Sequence, residues 1–149
     1  MPDRKVVLLV EDNADDRDLT LRAFQRHSDL GIAVETVDDG QAALDYLLAP
    51  GPDGRLRALP DLVLLDLKLP RLDGLEVLRR IRGDERTRLL PVVVLTSSAE
   101  EQDLVRSYSL GANSYVRKPV SFTEFLDASR QLGVYWLVLN RTPSRGPAA

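Results

Sequence analysis

Leu62-Val63-Leu64-Leu65-Asp66 is a run of four apolar residues ending in an aspartate, and Pro70 and Asp73-Gly74 follow shortly after. A continuous apolar run bounded by turn residues reads as a strand buried on both faces, the kind found in parallel sheets. Asp66 then stands at the carboxyl end of that strand, the edge where open α/β sheets place their ligands. The rest of the chain is read for residues that reach the same edge.

Upstream, Val6 to Val10 is a first apolar run closed by Glu11-Asp12-Asn13. Asn13 and Asp15 suit a helix N-cap, and Asp15, Asp16 and Asp18 suit the positive end of its dipole. We read Asp15 and Asp16 as helix-start charges and not as metal ligands. Leu19, Ala23 and Phe24 supply the buried stripe of that helix, which ends near His27, itself read as a solvated dipole partner. Ile32 to Val37 alternates as a second strand. Asp38-Asp39-Gly40 turns the chain into a short helix with Ala43, Leu44, Leu47 and Leu48 inward. Residues 49–60 contain Pro50-Gly51-Pro52-Asp53-Gly54 and form a loop, long for a compact domain.

Downstream of Asp66, Leu75, Leu78 and Ile81 space out a third helix stopping near Gly83. Pro91 opens a fourth buried strand, Val92 to Thr96. Ser97-Ser98 read as the cap of a fourth helix carrying Leu104, Val105 and Tyr108, with Gly111 as its C′ residue. Ser114 to Lys118 is a fifth, more polar strand broken by Pro119, and Ser121 or Thr123 starts the last helix. The order βαβαβαβαβα predicts a flavodoxin-like (βα)5 fold, a doubly wound parallel sheet of strand order 2-1-3-4-5. Strands one and three are then neighbours. Glu11 and Asp12 share an edge with Asp66, Thr96 ends the adjoining strand, and Lys118 ends the one beyond.

Composition bounds the class. The chain has 149 residues, 44% hydrophobic and 29% charged, with a net charge of −3, which is one globular domain with an ordinary core. With 20 basic against 23 acidic residues, no basic surplus points to nucleic acid. The absence of cysteine excludes disulfides, iron–sulfur clusters and thiol chemistry. No stretch resembles a signal-peptide core or a membrane span, so a cytoplasmic location is expected.

Three carboxylates converging at one edge repel unless protonated or neutralised. A hard divalent cation solves this, and Mg²⁺ takes a few carboxylates, a carbonyl and water. Asp12 and Asp66 would be direct ligands, Glu11 would act through water, and the Lys68 carbonyl lies within reach. Lys118 and Thr96 can meet phosphoryl oxygens. These parts suit in-line phosphoryl transfer to Asp66, giving an aspartyl phosphate.

Glu11-Asp12, Asp66, Thr96-Ser97 and Lys118-Pro119 together resemble the signature of the response-regulator receiver (CheY-like) domain of two-component signalling, from residue 5 to about residue 130. The resemblance implies that Asp66 is the phosphoacceptor, and that Glu11, Asp12, Asp66 and the Lys68 carbonyl form the Mg²⁺ site. It implies that Thr96 is the switch hydroxyl, Lys118 the phosphoryl-binding lysine and Tyr115 the aromatic switch. It also implies a cis bond before Pro119, and that Lys68 and Ser98 stand where receivers tune dephosphorylation. A receiver supports its own phosphorylation and dephosphorylation and is not a conventional enzyme. Its phosphodonor is a sensor histidine kinase, and it can relay to a histidine phosphotransfer protein. The Asp15-Asp16 pair, the long loop and the extended last helix resemble stand-alone receivers partnered with bacterial phytochrome histidine kinases.

The last helix is expected over residues 121–139, 19 residues or about 28 Å. Its inward stripe is read as Phe122, Phe125, Leu126, Ser129, Leu132, Trp136 and Leu139. Its end is apolar all round at Val134, Tyr135, Trp136, Leu137 and Val138. A protruding end of that kind calls for a symmetric homodimer, the alternative being that it folds back on its own domain. Residues 1–140 are expected to form a single domain, 141–149 a flexible tail, and no output domain is expected. Three rival functions fit less well. A Mg²⁺-dependent phosphatase of the haloacid-dehalogenase kind wants an acid two residues after its aspartate nucleophile, where Lys68 stands. A pseudo-receiver, a pure interaction module, would lack members of the acidic, hydroxyl and lysine set, and none is missing here. A nucleotide-binding fold is weaker still, for no glycine-rich loop follows the first strand.

Overall fold

A computed structural model describes residues 5–25 and 31–143. His27 and the tail beyond residue 143 lie outside the described residues. The elements are β1 (Lys5–Val10), α1 (Ala14–Gln25), β2 (Ile32–Val37), α2 (Gly40–Leu48), β3 (Leu62–Leu65), α3 (Gly74–Gly83), β4 (Val92–Thr96), α4 (Glu101–Ser109), β5 (Ser114–Arg117) and α5 (Phe122–Val134), which runs into a π-helical turn, Tyr135–Leu139. The five strands are all parallel in the order β2-β1-β3-β4-β5, so the expected (βα)5 topology holds. Among the described residues no helix is long and apolar enough to cross a membrane.

Alternation along the central strands sorts the core into two layers. Leu8, Val10, Val63, Leu65, Val92 and Val94 pack with Ala43, Leu47, Val77, Leu78 and Ile81 of α2 and α3. Val7, Leu9, Leu62, Leu64, Val93 and Leu95 pack with Phe24 of α1 and Phe125 of α5. A strand buried on both faces needs apolar residues at every position, which is why 62–65 and 92–95 read as unbroken runs.

The helix starts follow local capping. Asn13 accepts from the Asp16 amide at 3.0 Å, Asp39 from Ala42 at 2.7 Å and Asp73 from Glu76 at 3.0 Å. Gly74 lets α3 begin against the strand edge, because a Cβ there would collide with the Asp66 carbonyl oxygen. The 49–60 loop is tied to the body. Arg86 donates to the Leu47 carbonyl at 2.5 Å and to that of Arg57, and the Arg57 guanidinium sits 4.9 Å from the Tyr46 ring centroid.

Three expectations are corrected. Among the described residues no peptide bond is cis, so the Lys118-Pro119 bond is trans, the lower-energy isomer of an X–Pro bond by roughly 0.5–1 kcal/mol. α4 begins at Glu101 and not at Ser97-Ser98, and its N-cap makes no side-chain bond. The Ser98 hydroxyl is instead engaged by Asp103. α4 also buries Asp103 and Ser107 while Val105 and Tyr108 are exposed, so polar groups occupy the face that an apolar stripe was expected to fill.

The last helix differs too. Phe125, Ser129, Gly133 and Leu137 form the buried line, whereas Phe122 and Leu139 are exposed. Four-residue steps drift around an α-helix, and the wider π turn, closed by Asn140 N–H on the Tyr135 carbonyl at 2.6 Å, takes up that drift and returns Leu137 to the core. Gly133 permits the close approach, since a Cβ there would lie 3.1 Å from Phe24. Leu137 and the half-buried Trp136 thus pack on their own domain, and only part of the expected protruding surface remains.

Candidate functional site

One step beyond each strand, the same alternation decides which side chains meet. Glu11 continues the parity of Val7 and Leu9, Asp66 that of Leu62 and Leu64, and Lys118 that of Val116, all members of the α1/α5 layer. Backbone pairing holds the three ends level. The Glu11 amide donates to Val37, that of Asp66 to Val10 at 3.1 Å, and that of Lys118 to Thr96 at 2.7 Å. Lys118 Nζ accordingly bonds Glu11 Oε1 and stands 3.5 Å from Asp66 Oδ2. Carboxylate oxygens of Glu11, Asp12 and Asp66 lie within 4.8 Å of one another.

Glu11 and Asp66 are buried, whereas Asp12 is exposed. The cluster is open to solvent on the Asp12 side, as a hard divalent cation that keeps some of its water requires. Burial pushes the Glu11 carboxyl up to about 7, with the nearby Asp66 charge adding to it and Lys118 opposing it. Lys118 is raised from its ordinary value. Its burial acts the other way, but the bonds to Asp16 and Glu11 and the charge of Asp66 outweigh it. One ammonium therefore does not neutralise the cluster, and the donor set of three carboxylates fits a hard divalent cation.

Asp16 was read as a helix-start charge. It does stand in the first turn of α1, but its Oδ2 also accepts from Lys118 Nζ at 2.8 Å. No signal along the chain pointed to it, because Asp12 precedes α1 and the ammonium arrives from residue 118.

The opposite parity leads elsewhere. Thr96 continues Val92 and Val94 and is fully buried, its Oγ1 accepting from the Ser98 amide at 3.3 Å. Tyr115 is half-buried against the α2/α3 layer, and its hydroxyl donates to the Ser98 carbonyl at 3.1 Å. Lys68 Nζ lies 3.5 Å from Asp103 Oδ2, which accepts from Ser98 Oγ at 2.6 Å. Asp103, buried in α4, is missed by a sequence reading that turns Leu104, Val105 and Tyr108 inward.

Residues 7–130 match the response regulator receiver domain family. The chain is 48% identical over 143 residues to the probable methanogenesis regulatory protein FilR2 of Methanothrix harundinacea, covering 96% of this chain and 89% of that protein. The crystal structure of the phosphorylated cyanobacterial phytochrome response regulator RcpA superposes with a TM-score of 0.89 at 37% identity, covering 95% of this chain and all of that one. The Mn²⁺-bound response regulator Rcp1 superposes with a TM-score of 0.86 at 34% identity, covering 94% and 99%. The strand order, the carboxyl-edge cluster and these matches lead to one conclusion: the chain belongs to the response regulator receiver domain family.

Proposed function

We propose that Asp66 is the phosphoacceptor of a two-component relay, receiving its phosphoryl group from the phosphohistidine of a sensor histidine kinase in the cytoplasm. The observation that carries this is the convergence of Glu11, Asp12 and Asp66 within 4.8 Å beside Lys118. An Asp66 carboxylate oxygen attacks phosphorus, the P–N bond breaks, and the imidazole leaves. Glu11, Asp12, Asp66 and the Lys68 carbonyl would hold Mg²⁺, which supplies charge neutralisation on the phosphoryl oxygens. Lys118 exchanges part of its carboxylate shell for a phosphoryl oxygen, and Thr96 donates to another. Thr96 then draws on the Ser98 amide, and Tyr115 follows through the Ser98 carbonyl, changing the face that exposes Val105 and Tyr108 of α4. The Mn²⁺-bound relative supports the metal, and the phosphorylated relative supports the acceptor chemistry.

Within the kinases, we propose a bacterial phytochrome as donor, supported by the likeness to RcpA. FilR2 is named a probable methanogenesis regulatory protein, so the relatives' names point to two different pathways. A phosphotransfer profile against purified histidine kinases separates them: a phytochrome kinase is expected to label Asp66 in seconds, and labelling only by kinases of other sensory types overturns the assignment. Onward transfer to a histidine phosphotransfer protein is read in the same assay.

Metal binding should depend on pH. Glu11 holds a proton up to about 7, so binding a cation there displaces it. Mg²⁺ affinity is expected to weaken about tenfold per pH unit below 7 and to level off above it, measured by titration calorimetry; a flat profile from pH 5.5 to 8 sinks the idea. The same raised value means the metal-free fold binds more protons than the unfolded chain between about pH 4.5 and 7, so Glu11's contribution to stability falls as pH rises through that window.

We further propose a homodimer through the exposed part of the α5 end, Tyr135, Val138 and Leu139, flanked by the half-buried Val134. Large apolar residues exposed together on one end support it. Tyr135→Lys with Leu139→Lys should weaken self-association at least about thirtyfold, read by sedimentation equilibrium. A dimer of unchanged affinity refutes this surface.

A further inference from the structure

Ser98 is a junction of four bonds. Its amide donates to Thr96 Oγ1, its carbonyl accepts from Tyr115, its hydroxyl donates to Asp103 at 2.6 Å, and that same hydroxyl accepts from the Glu100 amide at 3.3 Å. Asp103 is 4% exposed, yet the cation paired with it, Lys68 at 3.5 Å, has a side chain 65% exposed. Lys68 belongs to the loop after β3, two residues beyond Asp66, whereas Asp103 belongs to α4. A buried carboxylate needs its countercharge far more than an exposed ammonium does. The ammonium is therefore the member free to leave.

We propose that Asp103 is a positioning residue that latches the first turn of α4 in the unphosphorylated protein, with Lys68 as its removable counterion. When a phosphoryl group stands on Asp66, its negative oxygens compete for Lys68. Asp103 is then left buried with one neutral donor, Ser98, and the α4 start loosens at the same junction that Thr96 and Tyr115 pull upon. Phosphate is thereby coupled to α4 by competition for one cation as well as by movement of the Thr96 hydroxyl. The release step presupposes Asp66 as acceptor; the resting latch does not.

Hydrogen exchange of residues 98–107 in the full chain, with and without beryllofluoride and Mg²⁺, tests this. In the wild type, loading is expected to raise exchange of these amides at least about fivefold. Asp103→Asn keeps an acceptor for Ser98 but removes the charge, and should raise exchange of the unloaded protein to near the loaded level. Unchanged protection in that variant overturns the latch. Lys68→Met, at an exposed side chain, guards against a simple folding defect. It should loosen the segment in the wild-type background and add nothing in the Asp103→Asn background. Equal loosening by Lys68→Met in both backgrounds, or none in the wild type, also overturns it. New protection at residues 66–69 on loading reports on the acceptor separately, so a failed latch and a failed acceptor give different patterns.

Discussion

Asp66→Asn is expected to abolish labelling by acetyl phosphate and Mg²⁺, by a factor on the order of 10³ or more, while the chain still folds. The amide cannot act as the attacking carboxylate, and every other member of the cluster is left in place. Folding should survive because the main contacts of residue 66 are backbone ones, its amide on Val10 and the Gly74 packing against its carbonyl, and an amide oxygen can still accept from the Leu67 N–H as Asp66 Oδ1 does at 2.8 Å. Replacing one carboxylate also lessens repulsion on Glu11, which the Asp66 charge raises, so the denaturation midpoint should hold or rise slightly. Intact mass spectrometry before and after incubation measures the label. A variant that gains one phosphoryl mass as fast as wild type places the acceptor elsewhere.

Much of this arrangement was legible because it follows from rules that work along the chain. Unbroken apolar runs at 6–10, 62–65 and 92–95, whose side chains point alternately to the two faces, were enough to predict a parallel sheet, and the strand order then put Glu11, Asp12 and Asp66 at one edge. Carrying the alternation one residue past each strand also divides Glu11, Asp66 and Lys118 from Thr96 and Tyr115, a step the residues allowed. What stayed hidden depends on contacts between elements. The inward turn of Asp103 is unreadable from α4 alone, since its stabilisation lies in Ser98 and Lys68 on two other segments. Asp16 looked like a dipole charge because nothing local reveals an ammonium arriving from residue 118, 102 positions away. The π turn at the end of α5 escaped for a related reason. It exists to return Leu137 to a surface made by α1 and the sheet, and an α-helical stripe drawn from the chain passes through Trp136 and Leu139 instead. The trans bond before Pro119 contradicts an implication of family likeness and no physical reading of the residues.

The second large effect belongs to Lys118→Met. Lys118 is the cation that three carboxylates share, and its side chain is only 7% exposed. Removing it leaves Glu11 buried without a charge partner, and truncating one member of a buried pair costs about 3–5 kcal/mol. The cost should depend on pH in a definite sense. Below about 7 Glu11 in the folded protein already holds a proton, so the missing ammonium matters less; above it the bare carboxylate must be buried unpaired or retain its proton against the solvent. The loss of stability is therefore expected to be larger at pH 8 than at pH 5.5, and Mg²⁺ should recover part of it at pH 8 by supplying the absent positive charge. Labelling by acetyl phosphate should fall about 10²–10³-fold, the scale of losing one preorganised charge at a transition state. Urea denaturation at the two pH values, with and without Mg²⁺, separates these terms. A destabilisation of the same size at both values would mean that Lys118 acts through packing of its aliphatic stem, and that the acidic cluster is neutralised by some other group.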